Sequence, residues 1–403
     1  MKSSPLLSES RLRFYGALTA VLSAASLVGF FHAGAWLVDD RGRPLLTDFF
    51  CFWSAGYEAS HGAPTSAYDI GAMENLWSET FHGLSNYAPF VLPYPPPLLF
   101  ALAPLGLVPY VPAEIIWIVA GFCLYLAVVA MIVPRSAALA VAAAAPGAWW
   151  AAFTVQTGFL AAALIGGFLV LLERRKVAAG FVLGLLVIKP QLGVLFPIVL
   201  IAASEWTAAA SAMVTVIALV AASLMLHGPE TWVEFSRALL NGGNLNLVVG
   251  IGGWPRLESL YGFVRSLGGS AKLAWICHAG VAAMVTVAVC WLWRRSDVSY
   301  STRAAALSAA VFIVTPYLHG YDLVGLAIPC AFLVRAAVES EFLPGERTIL
   351  VGLFVGSVLF VVLGQPFPVG PILIAALGAC IAVRARWNGR TAAEDPSDLP
   401  AKP

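Results

Sequence analysis

Apolar runs near the roughly 20 residues needed to cross a bilayer recur along almost the whole chain. The first, about Phe14 to Val38, follows Lys2, Arg11 and Arg13. It is too long for a signal-peptide core and reads as an uncleaved anchor. Further runs lie near 112–133, 136–153, 158–172, 177–187, 189–203, 206–226, 273–293, 303–315, 321–338, 348–363 and 369–383. Several are short and interrupted by Pro or Gly, a pattern that broken, neighbour-shielded helices tolerate. The pattern predicts an all-α polytopic membrane protein with about twelve (10–13) transmembrane helices. Residues 1–390 form one integral membrane domain, and 391–403, with Glu394, Asp395, Pro396 and Pro400, form a disordered cytoplasmic tail.

Charge placement orients these runs. With the N-terminus inside, Arg135, Arg174, Arg175, Lys176, Arg294, Arg295, Arg303, Arg335, Arg347, Arg384, Arg386 and Arg390 fall on the cytoplasmic side. Together with Lys2, Arg11, Arg13 and Lys402 they make sixteen of the 23 basic residues, as the positive-inside rule requires. Letting the apolar stretch 95–110 cross as well would put Arg174, Arg175 and Lys176 outside. That stretch is therefore expected to pack against the protein at the outer face. The expected location is the cytoplasmic membrane, with both termini inside. Two long loops then face outward, 39–94 and 227–272. The first holds eleven aromatic and seven acidic residues, a density that suggests short helices in the membrane interface. The second is rich in Gly and Asn, including Asn241-Gly-Gly-Asn244 and Gly252-Gly253.

Composition narrows the class further. Charged residues make up 11%, hydrophobic residues 60%, and the mean hydropathy is +0.84. A soluble domain carries about 25% charged residues, so an ordinary soluble surface is excluded. A net charge of +1 provides no field for nucleic acid. The six cysteines lack paired spacing and, apart from Cys51, lie in apolar runs, which excludes a disulfide scaffold or zinc ribbon. There is no Walker loop, HExxH or GxSxG, and the six histidines show no ligand spacing. No metal and no cofactor is expected.

Polar residues near the outer helix ends are the candidates for chemistry. Lys189 stands alone in Leu185-Leu-Val-Ile-Lys-Pro-Gln-Leu192, and Pro190 breaks the helix there. A cation at such a break suits a phosphate or other anion; the alternative is a lysine snorkelling to the interface. Asp48 opens Asp48-Phe-Phe-Cys-Phe-Trp-Ser-Ala-Gly56 and is either a general base at the membrane surface or a helix N-cap. His319-Gly-Tyr-Asp322 offers a donor to a phosphate oxygen or an Asp-capped turn. Gln156 in Thr154-Val-Gln-Thr-Gly158 is a weaker candidate of the same kind. Asp69 reads as a helix cap and Glu58 as part of a solvated helix face.

These residues, in order along the chain, resemble glycosyltransferase family 87. The likeness runs from about 45 to 325. Its motifs are the Asp48 run followed by Gly62 and Tyr68-Asp69, Tyr94-Pro-Pro-Pro97 with Ala103-Pro104-Leu105, Gln156 with Gly158, Lys189-Pro-Gln191, Ser259-Leu-Tyr-Gly262, and Thr315-Pro-Tyr-Leu-His-Gly-Tyr-Asp322. The sequence departs from the family pattern at Val155, where Gly is expected before Gln156. The resemblance implies a GT-C fold and a hexosyltransferase acting on the extracytoplasmic face. Such an enzyme would move a hexose, in characterised relatives mannose, from a polyprenyl-phosphate-sugar to a lipid-linked or glycan acceptor with inversion. It implies Asp48 as general base, His319 and Lys189 at the leaving phosphate, Asp322 and Gln156 supporting the sugar or the histidine, and Tyr94 and Tyr261 within donor-binding motifs. The donor, the acceptor and membrane lipid are the expected partners. The residues also leave open a polytopic transporter or lipid-linked sugar flippase, or an inactive structural subunit.

Overall fold

The computed structural model describes residues 8–81, 90–240, 253–362 and 367–394. Asn241-Gly-Gly-Asn244, Gly252 and the tail from 395 onward lie outside the described residues. Nineteen α-helices follow one another among those described. They are α1 (Glu9–His32), α2 (Phe49–Ser60), α3 (Ile70–Phe81), α4 (Leu99–Gly106), α5 (Tyr110–Ile132), α6 (Ser136–Ala144), α7 (Pro146–Thr154), α8 (Gly158–Leu172), α9 (Lys176–Gly184) and α10 (Pro190–Gly193). Then come α11 (Leu195–Ala202), α12 (Trp206–His227), α13 (Pro229–Ala238), α14 (Leu260–Ser266), α15 (Ala271–Trp293), α16 (Tyr300–Val314), α17 (Ala327–Glu339), α18 (Glu346–Val362) and α19 (Gly370–Glu394). No strand occurs among the described residues, which carry only isolated bridges such as Leu257 to His319.

The expected count of about twelve spans is not met by full-length helices. Six helical segments are long and apolar enough to cross, or seven if α6 and α7, bent by 51° at Pro146, form one span. Five further apolar segments are only 10–17 residues long. Proline and glycine inside the apolar runs account for the shortfall, because each break ends a helix before it reaches full length. The clearest break is at Lys189. Residues 176–188 rise to it, Pro190 starts the next helix at its first position, and the chain returns to Glu205, which pairs with Lys176 at 2.8 Å. Two predicted runs are thus the two arms of a hairpin with Lys189 at its tip.

The bundle has two unlike ends. At one end lie the ion pairs Arg135–Glu9 (3.1 Å), Lys176–Glu205 (2.8 Å) and Arg335–Glu173 (2.8 Å). Buried Arg384 there binds Glu346 and the Ser340 hydroxyl. At the other end the chain segments at Asp48, Gln156, Lys189 and His319 come together. α8 connects the two ends, from Gly158 to Leu172, about 22 Å at 1.5 Å per residue.

The described residues of 39–94, expected as an outer loop with helices in the membrane interface, fold into the protein. Every residue from Phe49 to Gly56 is buried. Phe49, Phe50, Trp53 and Phe81 pack around Tyr110, so the aromatic density of this loop fills a core of its own. Stretch 95–110 forms α4, seated on α2 so closely that a Cβ on Gly106 would stand 2.1 Å from the Tyr57 nitrogen.

Candidate active site

Four segments meet at the end of the bundle opposite the basic cluster. Asp48 occupies the N-cap position of α2 but makes no side-chain cap bond. Its Oδ2 instead accepts a hydrogen bond from Gln156 Nε2 at 2.9 Å. The cap reading is therefore replaced by a tertiary contact across 108 residues. Gln156 is buried, and its Oε1 lacks a hydrogen-bond partner. The preceding residue explains how it gets there. Val155 ends α7 in the left-handed conformation, φ 51° and ψ 45°, where glycine is normally favoured. The departure from the family pattern therefore falls on a position whose backbone suits glycine, and valine holds the same turn under strain.

Lys189 is 2% exposed, and its Nζ donates to Asp322 Oδ1 at 2.5 Å and to Thr157 Oγ1 at 3.2 Å. It also sits 5.0 Å from the Tyr321 ring centroid and 6.0 Å from that of Tyr94. A buried charge needs a partner, and here the partner is a protein carboxylate. Neither a snorkelling lysine nor an unengaged anion site describes it. Asp322 Oδ2 accepts from the His319 backbone N–H at 3.2 Å, so the same carboxylate holds the turn that carries the histidine.

His319 is half-buried and stacks on Tyr321, ring centroids 5.3 Å apart and planes 1° apart. Its Nδ1 lies 3.3 Å from the Tyr317 carbonyl. A carbonyl only accepts, so Nδ1 carries the hydrogen and Nε2 is left for a ligand. Asp48 lies near enough for its charge to act on His319. A close approach fixes this register: a Cβ on Gly158 would stand 2.2 Å from the Tyr321 carbonyl oxygen, so the start of α8 abuts the His319–Asp322 turn.

Tyr94 joins the group through Thr157, hydroxyl to hydroxyl at 3.2 Å, while its carbonyl accepts from Tyr68 at 3.0 Å. A crevice of only about 10 Å³ lies beside Lys189, walled by Leu98, Leu160, Leu164, Leu186 and Ile188. Tyr261 is not part of this cluster. It is buried with Leu257 and Ala274 and packs on Trp275 at 5.0 Å, one layer behind the His319 turn. Asp69 caps α3, accepting from Gly71 and Ala72. Glu58 is half-buried, and burial raises its carboxyl above the ordinary value.

Sequence reasoning passed over two members. Thr157 bridges Tyr94 and Lys189, and Tyr321 lies between histidine and lysine; both stand inside motifs from which only their neighbours were chosen. It also passed over Glu258, fully buried, whose Oε2 accepts from the Gly370 N–H at 2.7 Å. The Glu258 N–H in turn donates to the Leu318 carbonyl at 2.7 Å, beside His319. Among the described residues, no three His, Cys, Asp or Glu side chains gather as a metal site.

No curated protein and no solved structure matches the chain. A family model does match, over residues 90–317, a stretch that contains Tyr94, Gln156, Lys189 and Tyr261 and leaves Asp48, His319 and Asp322 outside its bounds. The matched stretch is more than half of the chain, and the protein belongs to glycosyltransferase family 87, the membrane glycosyltransferases.

Proposed function

We propose that the protein transfers a hexose, mannose in the first instance, from a polyprenyl-phosphate-sugar to a lipid-linked or glycan acceptor, with inversion, at the extracytoplasmic face of the cytoplasmic membrane. The observation that carries this reading is the convergence of Asp48, Gln156, His319 and the Lys189–Asp322 pair at the helix ends opposite the basic loops. Asp48 takes the proton of the acceptor hydroxyl as it attacks the anomeric carbon, and Gln156 holds the carboxylate in place. The bond to the lipid phosphate breaks on the opposite side of the sugar. His319 stands at the departing phosphate oxygen, with Nε2 turned away from its Nδ1 contact to the Tyr317 carbonyl, and a proton on that nitrogen would donate to the phosphate. Lys189 acts from behind the turn, through Asp322, to keep His319 in position.

Transfer of label from polyprenyl-phosphate-[¹⁴C]mannose in membranes tests the reading, comparing wild type with Asp48→Asn. General base catalysis is worth about 10²–10⁴-fold, so turnover should fall at least 100-fold with expression unchanged. Near-normal transfer by the variant would remove Asp48 from the mechanism. No transfer by wild type would overturn the donor.

A further inference from the structure

At the basic end of the bundle, far from Lys189, α9 and α12 flank an open groove of about 680 Å³ lined by Arg175, Lys176, Val177, Phe181, Ser211 and Val214. We propose that it binds an anionic phospholipid, with the headgroup phosphate on Arg175, the Lys176 ammonium it would share with Glu205 beside it, and an acyl chain along the apolar wall.

Two independent features point to that occupant. The first is the order of polarity along the helix axis. The cations stand at the start of α9, and Val177, Phe181 and Val214, each more than half exposed, follow deeper in. A phospholipid carries its charge and its chain in the same order across the interface. The second is charge complementarity. The nearest acids are engaged, Glu205 with Lys176 at 2.8 Å and Glu173 with Arg335 at 2.8 Å. Among the described residues Arg174 and Arg175 enter no ion pair, so the mouth of the groove is positive. The groove hydroxyls do not compete, because Ser211 Oγ donates to the Val177 carbonyl and Thr215 Oγ1 to the Ser211 carbonyl. Basic pockets between membrane helices hold anionic headgroups in this way. The site does not depend on the transfer chemistry, because it lies at the opposite end of α9 from Lys189.

The test uses the full-length protein in phosphatidylcholine nanodiscs containing a trace of photo-crosslinkable phosphatidylglycerol, or of the matching phosphatidylcholine probe, with crosslinks mapped by mass spectrometry. Peptides carrying Phe181 and Val214 should be labelled preferentially by the anionic probe. Arg175→Gln and Lys176→Gln should each lower that labelling about five-fold, equivalent to about 1 kcal/mol per cation. Both substitutions are at exposed positions, and unchanged crosslinking elsewhere on the chain reports that the variants are folded. A control pair at the same end, Arg294→Gln with Arg386→Gln, should leave the labelling intact. Equal labelling by both probes, or equal loss in the control pair, overturns the proposal. Displacement of the probe by millimolar inorganic phosphate also overturns it, since a headgroup alone would then suffice.

Discussion

Breaking the Lys189–Asp322 pair from one side should cost far more than removing it whole. The two groups meet at 2.5 Å with side-chain exposures of 3% and 0%. At an effective dielectric constant of 20 their attraction is about 7 kcal/mol, and desolvating the two ions takes back several kcal/mol of it. The net contribution of the intact pair is therefore small. Lys189→Met leaves Asp322 buried and bound only by the His319 N–H. Asp322→Leu leaves an ammonium bound only by Thr157. Each single variant should lose about 3–5 kcal/mol. The double variant, Lys189→Met with Asp322→Leu, should lie within about 1 kcal/mol of wild type. The assay is reversible unfolding in mixed micelles by SDS titration, run as a double-mutant cycle, with sugar transfer measured on the same samples. Singles that each cost under 1 kcal/mol, or that simply add, would refute a coupled buried pair. The double variant should fold yet transfer little sugar, since the His319 N–H loses its acceptor. Full activity there would reduce the pair to a stability element.

Three further outcomes follow from single positions. Burial pushes the Glu258 carboxyl up to about 7 from an ordinary 4.5. The fold thus prefers the protonated form, and stability should fall by about 3 kcal/mol as pH rises from 4.5 to 7; Glu258→Gln should flatten that part of the unfolding profile, and an unchanged slope would assign it elsewhere. At Val155 glycine should be more stable than alanine by about 1 kcal/mol, the reverse of the helical order, because the left-handed backbone penalises any Cβ; chemical unfolding of the two variants decides it. Gly158→Ala should cost about 1–3 kcal/mol or more and depress transfer by displacing the His319 turn, whereas Gly280→Ala, with nothing within 4 Å of the added carbon, should be neutral or slightly stabilising.

Much of the site is visible in the sequence where local chemistry is decisive. Pro190 announces the break at Lys189, Asp69 its own helix cap, and the solitary lysine in an apolar run its functional candidacy. The remaining contacts depend on distance through space. Lys189 meets Asp322 across 133 residues, and Asp48 meets Gln156 across 108; no periodicity records such a pairing. Asp48 followed by Phe49 and Phe50 looks like any N-cap, and only the position of α7 and α8 turns the carboxylate toward Gln156. Thr157 and Tyr321 become site residues because Gly158 lets α8 close on the turn.

The sequence by itself determined the solvent of this protein, its helical class and the ends of its helices where polar groups gather. Hydrophobicity, proline breaks and charge placement act locally, and their free-energy consequences need no knowledge of partners. The tertiary structure alone decided that two predicted spans are one hairpin and that the aromatics of the first loop form an internal core. It also decided that Lys189 is paired with Asp322. The reason is the cost of burial: a charge removed from water must find its counterpart, and which counterpart it finds is set by how the helices pack.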